Sequence, residues 1–210
     1  GVRILPVALS IAIGSVLGNA LAVTRIGTKA VVFVGLLMLT AAFAWVATVS
    51  VDVSYLEVAL QMVLLGGGLG LTTAPATDSI MGVVKPEQAG AGSAVNDATR
   101  QIGGTLGVAV IGSIFSTLYI NRLSDSTVLQ ALPQEAQETA RDGLAQGLAV
   151  AAQSPAQVAG ALRDNVSDAF MSGLHAGCVT AAAVCLAGAL FVLAFLPAHP
   201  EGSRSEPVSG

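Results

Sequence analysis

Five runs of the chain carry no charge at all. Ile4–Val23, Ala30–Val51, Val58–Thr77, Gln101–Ile120 and Ala169–Ala198 contain no Asp, Glu, Lys or Arg. At about 1.5 Å rise per residue, some 20 residues cross a hydrocarbon core of roughly 30 Å, so each run is long enough to span a membrane as a helix. A lone strand in lipid would leave its backbone donors and acceptors unpaired, which leaves helices as the spanning form. The pattern predicts an all-α, polytopic transmembrane helix bundle with five spans, at approximately 4–23, 30–51, 58–77, 98–120 and 171–196. A long polar segment, 121–169, separates the last two.

Composition fixes the solvent. Hydrophobic residues make up 53% of the chain and charged residues 10%, where a soluble domain carries about 25% charged; the mean hydropathy is +0.75. The partner is a lipid bilayer. A net charge of −4 with no basic block gives no reason to expect nucleic acid. The first apolar run begins almost at once after Gly1, with no basic leader and small-residue cleavage site before it, so the chain reads as a fragment of a longer protein rather than one headed by a signal peptide. Cys178 and Cys185 are seven residues apart on one predicted helix, about 10 Å along its axis, which is too far for a mutual disulfide. They read as small apolar fillers.

Loop charge orients the spans. Arg25 and Lys29 lie in the first loop, whereas the second carries Asp52 and Glu57 and no base. The positive-inside rule places the first loop in the cytoplasm and the second outside. The turn at Lys85, Pro86 and Glu87 then falls inside, residues 121–169 outside, and the tail 199–210 inside, in a plasma or inner membrane. The outer segment is rich in Ala and Gln, and Pro133 and Pro155 are placed to start helices, with Ser154 as an N-cap. Two short helices on or near the outer membrane face are expected, the alternative being a solvated loop.

Small residues recur at a four-residue interval: Gly14 and Gly18, Gly66 and Gly70, Gly103 and Gly107, Gly173 and Gly177. Glycines so spaced share a helix face and let a neighbouring backbone come close, either for general bundle packing or as a sliding surface. Pro75, near the inner end of the third span, removes a backbone donor and is expected to kink or loosen the last turn. Asp78 follows it. In the fourth span Asn96 and Arg100 are four apart and Asp97 and Arg100 three apart, so all three meet on one helical surface, and Gln101 and Gly104 continue the adjoining face. Charge at membrane depth is costly unless paired or wetted. Three readings stay open for the Asp78, Asp97 and Arg100 group: a structural or gating ion pair, direct proton or substrate handling, and interfacial solvation.

Other chemistry is sparse. His175 sits in the outer third of the last span and reads as a hydrogen-bonded or interfacial side chain. No His, Cys or carboxylate is spaced to complete a metal site with it. GxSxG, HExxH, Walker A and dinucleotide fingerprints are absent, so no enzyme is expected.

The segment Gly66–Gly112 carries a specific resemblance. GGGLGLTTAP, followed by PEQAGAGSAVNDATRQIGGTLGVAVIG, resembles the C-terminal part of the fourteen-span drug:proton antiporters of the major facilitator superfamily, the EmrB/QacA type. The opening GVRILP and the long loop before the last span resemble that family too. Its strongest element is Asn96 with Arg100, Gln101, Gly103 and Gly104. The cytoplasmic loop signature often written D-R-x-G appears as Thr24-Arg25-Ile26-Gly27, so Arg25 and Gly27 match and the acid is missing.

The resemblance implies a partial C-terminal half, spans ten to fourteen, of a transporter that exports small hydrophobic or cationic compounds by alternating access. The proton gradient would supply the energy, with no cofactor. Such folds rock two halves about a central cavity, so a chain without the N-terminal half is expected not to transport alone. Two other classes stand beside it: a small structural or assembly membrane protein without transport, and an intramembrane hydrolase resting only on Ser93 and His175.

Overall fold

The structure, a computed structural model, describes residues 4–22, 27–51, 53–82 and 84–196; Arg25, Asp52 and the 199–210 tail lie outside these. The elements in order are α1 (Leu5–Leu21), α2 (Gly27–Val46), α3 (Tyr55–Met81), a 3-10 turn at Pro86–Gln88, α4 (Ala89–Ser124), α5 (Thr127–Gln130), α6 (Gln134–Arg141), α7 (Leu144–Gln153) and α8 (Ala156–Phe195). There is no strand among the described residues. Helices α2, α3, α4 and α8 are long and apolar enough to cross a membrane. At 17 residues, α1 covers about 25 Å, so among the described residues four of the five expected spans are full-length helices and the first is a shorter apolar helix. The chain is a multi-pass, all-α membrane protein.

By contact the chain falls into two compact units: Gly1–Trp45 with Ser54–Leu106 and Ala181–Gly210, and Val46–Val53 with Gly107–Thr180. In the first, α3 is built to touch backbone on two sides. Successive residues on a helix are about 100° apart, so Gly66 and Gly70 share one face and Gly68 points nearly opposite. A methyl group at Gly70 would lie 2.6 Å from the Ser15 nitrogen, and one at Gly66 would lie 2.6 Å from the Val7 carbonyl, both on α1. On the other side, one at Gly68 would lie 2.8 Å from the Gly35 carbonyl of α2. The contacts are reciprocal: Gly14 meets the Gly67 carbonyl at 2.7 Å and Gly35 the Gly68 carbonyl at 2.9 Å, measured from the same added carbon. Any side chain at these positions would wedge the helices apart. The Ser10 hydroxyl, 2.9 Å from the Val7 carbonyl and 3.4 Å from that of Met62 on α3, joins the pair where they touch.

Pro75 does not end α3. The helix runs on to Met81, and the proline ring is fully buried, 3.1 Å from a carbon added at Gly18. The ring packs closely against Gly18, where an added side chain would crowd it. Two local devices set the ends of these helices. Gly27 opens α2 at φ 78°, a left-handed conformation that glycine adopts at little cost. Ser54 caps α3 by accepting from the Glu57 amide at 3.3 Å, and the Glu57 carboxylate accepts from the Trp45 indole at 3.2 Å, tying the end of α2 to the start of α3.

The second unit corrects the reading of residues 121–169. Helices α4 and α8 have 36 and 40 residues, or roughly 54 and 60 Å, far more than a membrane core requires. Their surplus ends form a cap with α5, α6 and α7. Three short helices replace the expected two. Pro155 precedes the unbroken α8 instead of a separate surface helix, and the Ser154 hydroxyl donates to the Val150 carbonyl at 2.8 Å, closing α7 rather than capping α8. The segment is not simply polar either. Tyr119, Leu123, Leu129, Leu162 and Val166 are buried together in one core, Phe115 packs edge-on to Phe170 at 5.3 Å, and the Tyr119 hydroxyl donates to the Ala140 carbonyl at 2.8 Å. Gly173 accepts the Phe115 backbone at 2.9 Å, and Gly177 meets Ile111 at 3.2 Å, again from an added carbon.

Two outcomes are expected in thermal unfolding of the purified chain in detergent. Gly70→Leu forces α1 off α3 and costs at least about 1–3 kcal/mol, seen as lost folded protein or a lower midpoint. Tyr119→Phe strands the Ala140 carbonyl and costs about 1–3 kcal/mol; an unchanged midpoint would remove this bond from the cap's stability.

Candidate functional site

The polar positions singled out by sequence fall on the end of α3 and the first half of α4. After Lys85, Pro86 opens the short 3-10 turn, and α4 then runs through Gly90, Gly92, Gly103, Gly104, Gly107 and Gly112 without a break. Each interior glycine costs a helix about 1 kcal/mol relative to alanine, but in lipid the alternative is an unpaired backbone, so the helix persists. Asn96, Arg100, Gly103 and Gly107 follow one another at steps of four, three and four, which places them on one stripe. Ser93, Asp97 and Gly104 lie beside it. Val95, Ile102 and Leu106 lie on its other flank, and Ala98, Gln101 and Thr105 on the opposite face.

Among the described residues the stripe meets almost nothing. Asp97, Arg100 and Gln101 are exposed, and Asn96 is half-buried at the edge of an apolar cleft of about 440 Å³ with Ile80, Val84 and Thr99. Gly92 sits against Val84 at 3.0 Å from an added carbon. A side chain added at Gly103, Gly104, Gly107 or Gly112 would find no atom within 4 Å. Gly103 and Gly107, expected as a helix contact, therefore differ from the Gly14, Gly18, Gly66, Gly70, Gly173 and Gly177 positions, each of which has a neighbouring helix against it.

The expected pairing of Arg100 with Asp97 or Asp78 is not made. Among the described residues none of the three forms an ion pair or hydrogen bond through its side chain, and Asp78 is exposed at the end of α3. Spacing allows the Asp97–Arg100 contact, but a wetted pair of long side chains gains at most about 1 kcal/mol and loses rotamer freedom. Thr99 and Thr105 are turned inward onto their own helix, donating to the carbonyls of Val95 and Gln101 at 2.8 Å.

His175 is accounted for by structure. Its Nε2 lies 2.8 Å from the Val49 carbonyl, holding the α2–α3 connection to α8. Among the described residues there is no group of His, Cys, Asp and Glu able to hold a metal, and Ser93 has no hydrogen-bonded base. Sequence reasoning missed Gly35 and Gly68, which lack a partner glycine four residues away on the same face, and the Trp45–Glu57 bond, whose only sign was the S-x-x-E pattern at Ser54.

No protein-family signature matches the chain. It is similar to the multidrug transporter protein MdtP of Bacillus subtilis, 27% identical over 98% of this chain and 41% of that protein. It is likewise similar to the tetracenomycin C resistance and export protein of Streptomyces glaucescens, 28% identical over 98% of the chain and 39% of the relative. The multidrug efflux pump LfrA of Mycolicibacterium smegmatis is 29% identical over 81% of the chain and 33% of its own length. The chain thus spans about two fifths, or less, of the relatives it matches.

Because nothing touches its face, Gly103→Leu in this chain is expected to leave the unfolding midpoint unchanged or slightly higher, by up to about 1 kcal/mol of helix propensity. Loss of folded protein on the scale of Gly70→Leu would mean that α4 packs within the chain after all.

Proposed function

We propose that this chain is the C-terminal portion of a proton-coupled multidrug efflux transporter of the fourteen-span major facilitator type, and that it does not transport alone. The observation that carries this reading is α4 from Gly90 to Gly112. Five glycines there, Gly90, Gly103, Gly104, Gly107 and Gly112, have no neighbour among the described residues, and with the uncompensated Asn96, Asp97, Arg100 and Gln101 they make little sense as a lipid-facing surface, where small residues give no packing and charge is costly. They suit a helix whose partner belongs to the remainder of a longer protein, and the drug-exporting relatives are more than twice as long as the stretch they share with this chain.

In this reading Gly103 and Gly107 receive a helix of the N-terminal half, and the Asn96 and Arg100 edge faces the path between the halves. Asp97 is the coupling carboxylate, Arg100 and Gln101 hold its surroundings, and Asp78 with Pro75 shapes the inner end of α3. Hydrophobic or cationic compounds are the substrates and the proton gradient is the energy source. Lys29, Lys85 and the C-terminal tail face the cytoplasm, and the α5–α7 cap faces out.

Dye efflux by the full-length transporter across a pH series, read beside membrane abundance, tests the assignment. Asp97→Asn should insert normally and change the pH dependence, since an amide cannot exchange the proton. Arg100→Ala should lower efflux at equal abundance, and Gly103→Leu should reduce folded protein. Wild-type pH dependence in Asp97→Asn would exclude it from coupling.

A further inference from the structure

Gln61 is buried in α3 with nothing to bond to. It is 5% exposed, and its amide nitrogen has no hydrogen-bond partner among the described residues. The hydroxyls of Thr40 on α2 and Thr72 on α3 avoid this by donating to carbonyls of their own helices, at 2.8 and 2.7 Å. A buried donor left unpaired is uncommon and costly, the more so where water is excluded. Gln61 lies seven residues before Gly68 and so nearly on the same face of α3, the one turned to α2. The two helices run antiparallel, since Gly35 meets Gly68 and Trp45 meets Glu57. That register puts the fully buried Ala42 level with Gln61, and a methyl group offers an amide no acceptor.

One acceptor lies a single turn away. Glu57 precedes Gln61 by four residues, the spacing at which side chains on a helix meet. The same pair of side-chain types bonds at this spacing in α6, where the Gln134 amide donates to the Glu138 carboxylate at 3.1 Å. In α3 the Glu57 carboxylate is turned across to α2 instead, where it accepts from the Trp45 indole at 3.2 Å. With the carboxylate so turned, the Gln61 bond is not made. Two donors thus draw on one carboxylate, and they differ in what losing it costs. Gln61 stays buried, whereas Trp45, 37% exposed at the end of α2, can turn its ring N–H to the membrane–water boundary.

We propose that Glu57 is the moving part of a hydrogen-bond switch. It bonds either Trp45, clasping the end of α2 to the start of α3, or Gln61 on its own helix, which frees that end of α2. Each form keeps one N–H bond to the same carboxylate, so the two lie close in free energy and exchange without breaking either helix. The backbone contact of Gly35 with Gly68 is common to both. The switch is separate from the α4 stripe and does not rest on transport by the chain.

Trp45 is the single tryptophan of the 210-residue chain and reports on the switch directly. The test is acrylamide quenching of its fluorescence in the purified chain in lipid nanodiscs, beside backbone hydrogen exchange over residues 42–46. Gln61→Met keeps the length of the side chain and removes the donor, so Glu57 is left to Trp45. For two forms of near-equal population this should lower the quenching constant by about half, and it should slow the exchange. Glu57→Ala removes the acceptor but not the Ser54 cap, which uses the backbone amide of residue 57, and should raise both readings. In the double variant, with Glu57 already gone, Gln61→Met should change neither, because the two residues act through one bond. An effect of Gln61→Met that is equal with and without Glu57 would reduce Gln61 to a packing position. Unchanged or increased quenching in Gln61→Met with Glu57 present would mean that Gln61 does not compete for the carboxylate. Either result overturns the switch.

Discussion

Backbone contact between helices is the constraint on which the membrane part of this protein depends. In lipid there is little hydrophobic gain from joining two apolar helices, and close approach must supply the attraction through dispersion and short polar contacts. The run Gly66–Gly70 delivers this in one place, turning Gly66 and Gly70 to α1 and Gly68 to α2, with Gly14, Gly18 and Gly35 making room from the other side. The Ser10 hydroxyl and the Pro75 ring then fill the space the missing side chains leave. The second unit is held by a different force. Its cap has an ordinary buried core of Leu123, Leu129, Leu162 and Val166, as expected for a structure whose alternative solvent is water.

That contrast explains what α4 does. Its far end joins the cap through Phe115, Tyr119 and Leu123 and obeys the packing rules of a soluble core. Its near end is made of the material that α3 uses for helix contact, yet among the described residues no helix lies against Gly103, Gly104 or Gly107. The same stretch carries Asn96, Asp97, Arg100 and Gln101. One helix thus combines an end packed into the cap core with a glycine-rich end that has no neighbour among the described residues, and the proposal of a partner half starts from this difference.

The spans were legible because lipid excludes charge, and the uncharged runs marked them. Their ends were not. Charge-free runs set α4 near residue 98, but the helix starts at Ala89, with Asp97 and Arg100 inside it and exposed. The last helix begins at Ala156 for a related reason: its first turns lie beyond the apolar run, and the polar composition hid the inward face of Leu162, Val166 and Ala169, spaced at four and three. Glycine spacing showed which faces could pack, and the structure pairs Gly66 and Gly70 with α1. It could not show which neighbour arrives, nor that Gly103 and Gly107 have none. The Asp97–Arg100 pair failed as an inference because spacing gives opportunity only; burial, which would make the pair worthwhile, is absent.

Oxygen accessibility of a spin label is the most direct measurement of the α4 account. Single cysteines at positions 71 and 110, which carry Leu71 between α1 and α2 and Val110 beside the Gly103 and Gly107 stripe, introduced after replacing Cys178 and Cys185, would be labelled in lipid bilayers, first in this chain and then in the longer transporter proposed above. In the chain alone, position 71 should be protected and position 110 open to lipid-dissolved oxygen. In the proposed longer protein both should be protected. Protection of position 110 in the chain alone, or its exposure in both forms, would contradict a surface that awaits a partner helix.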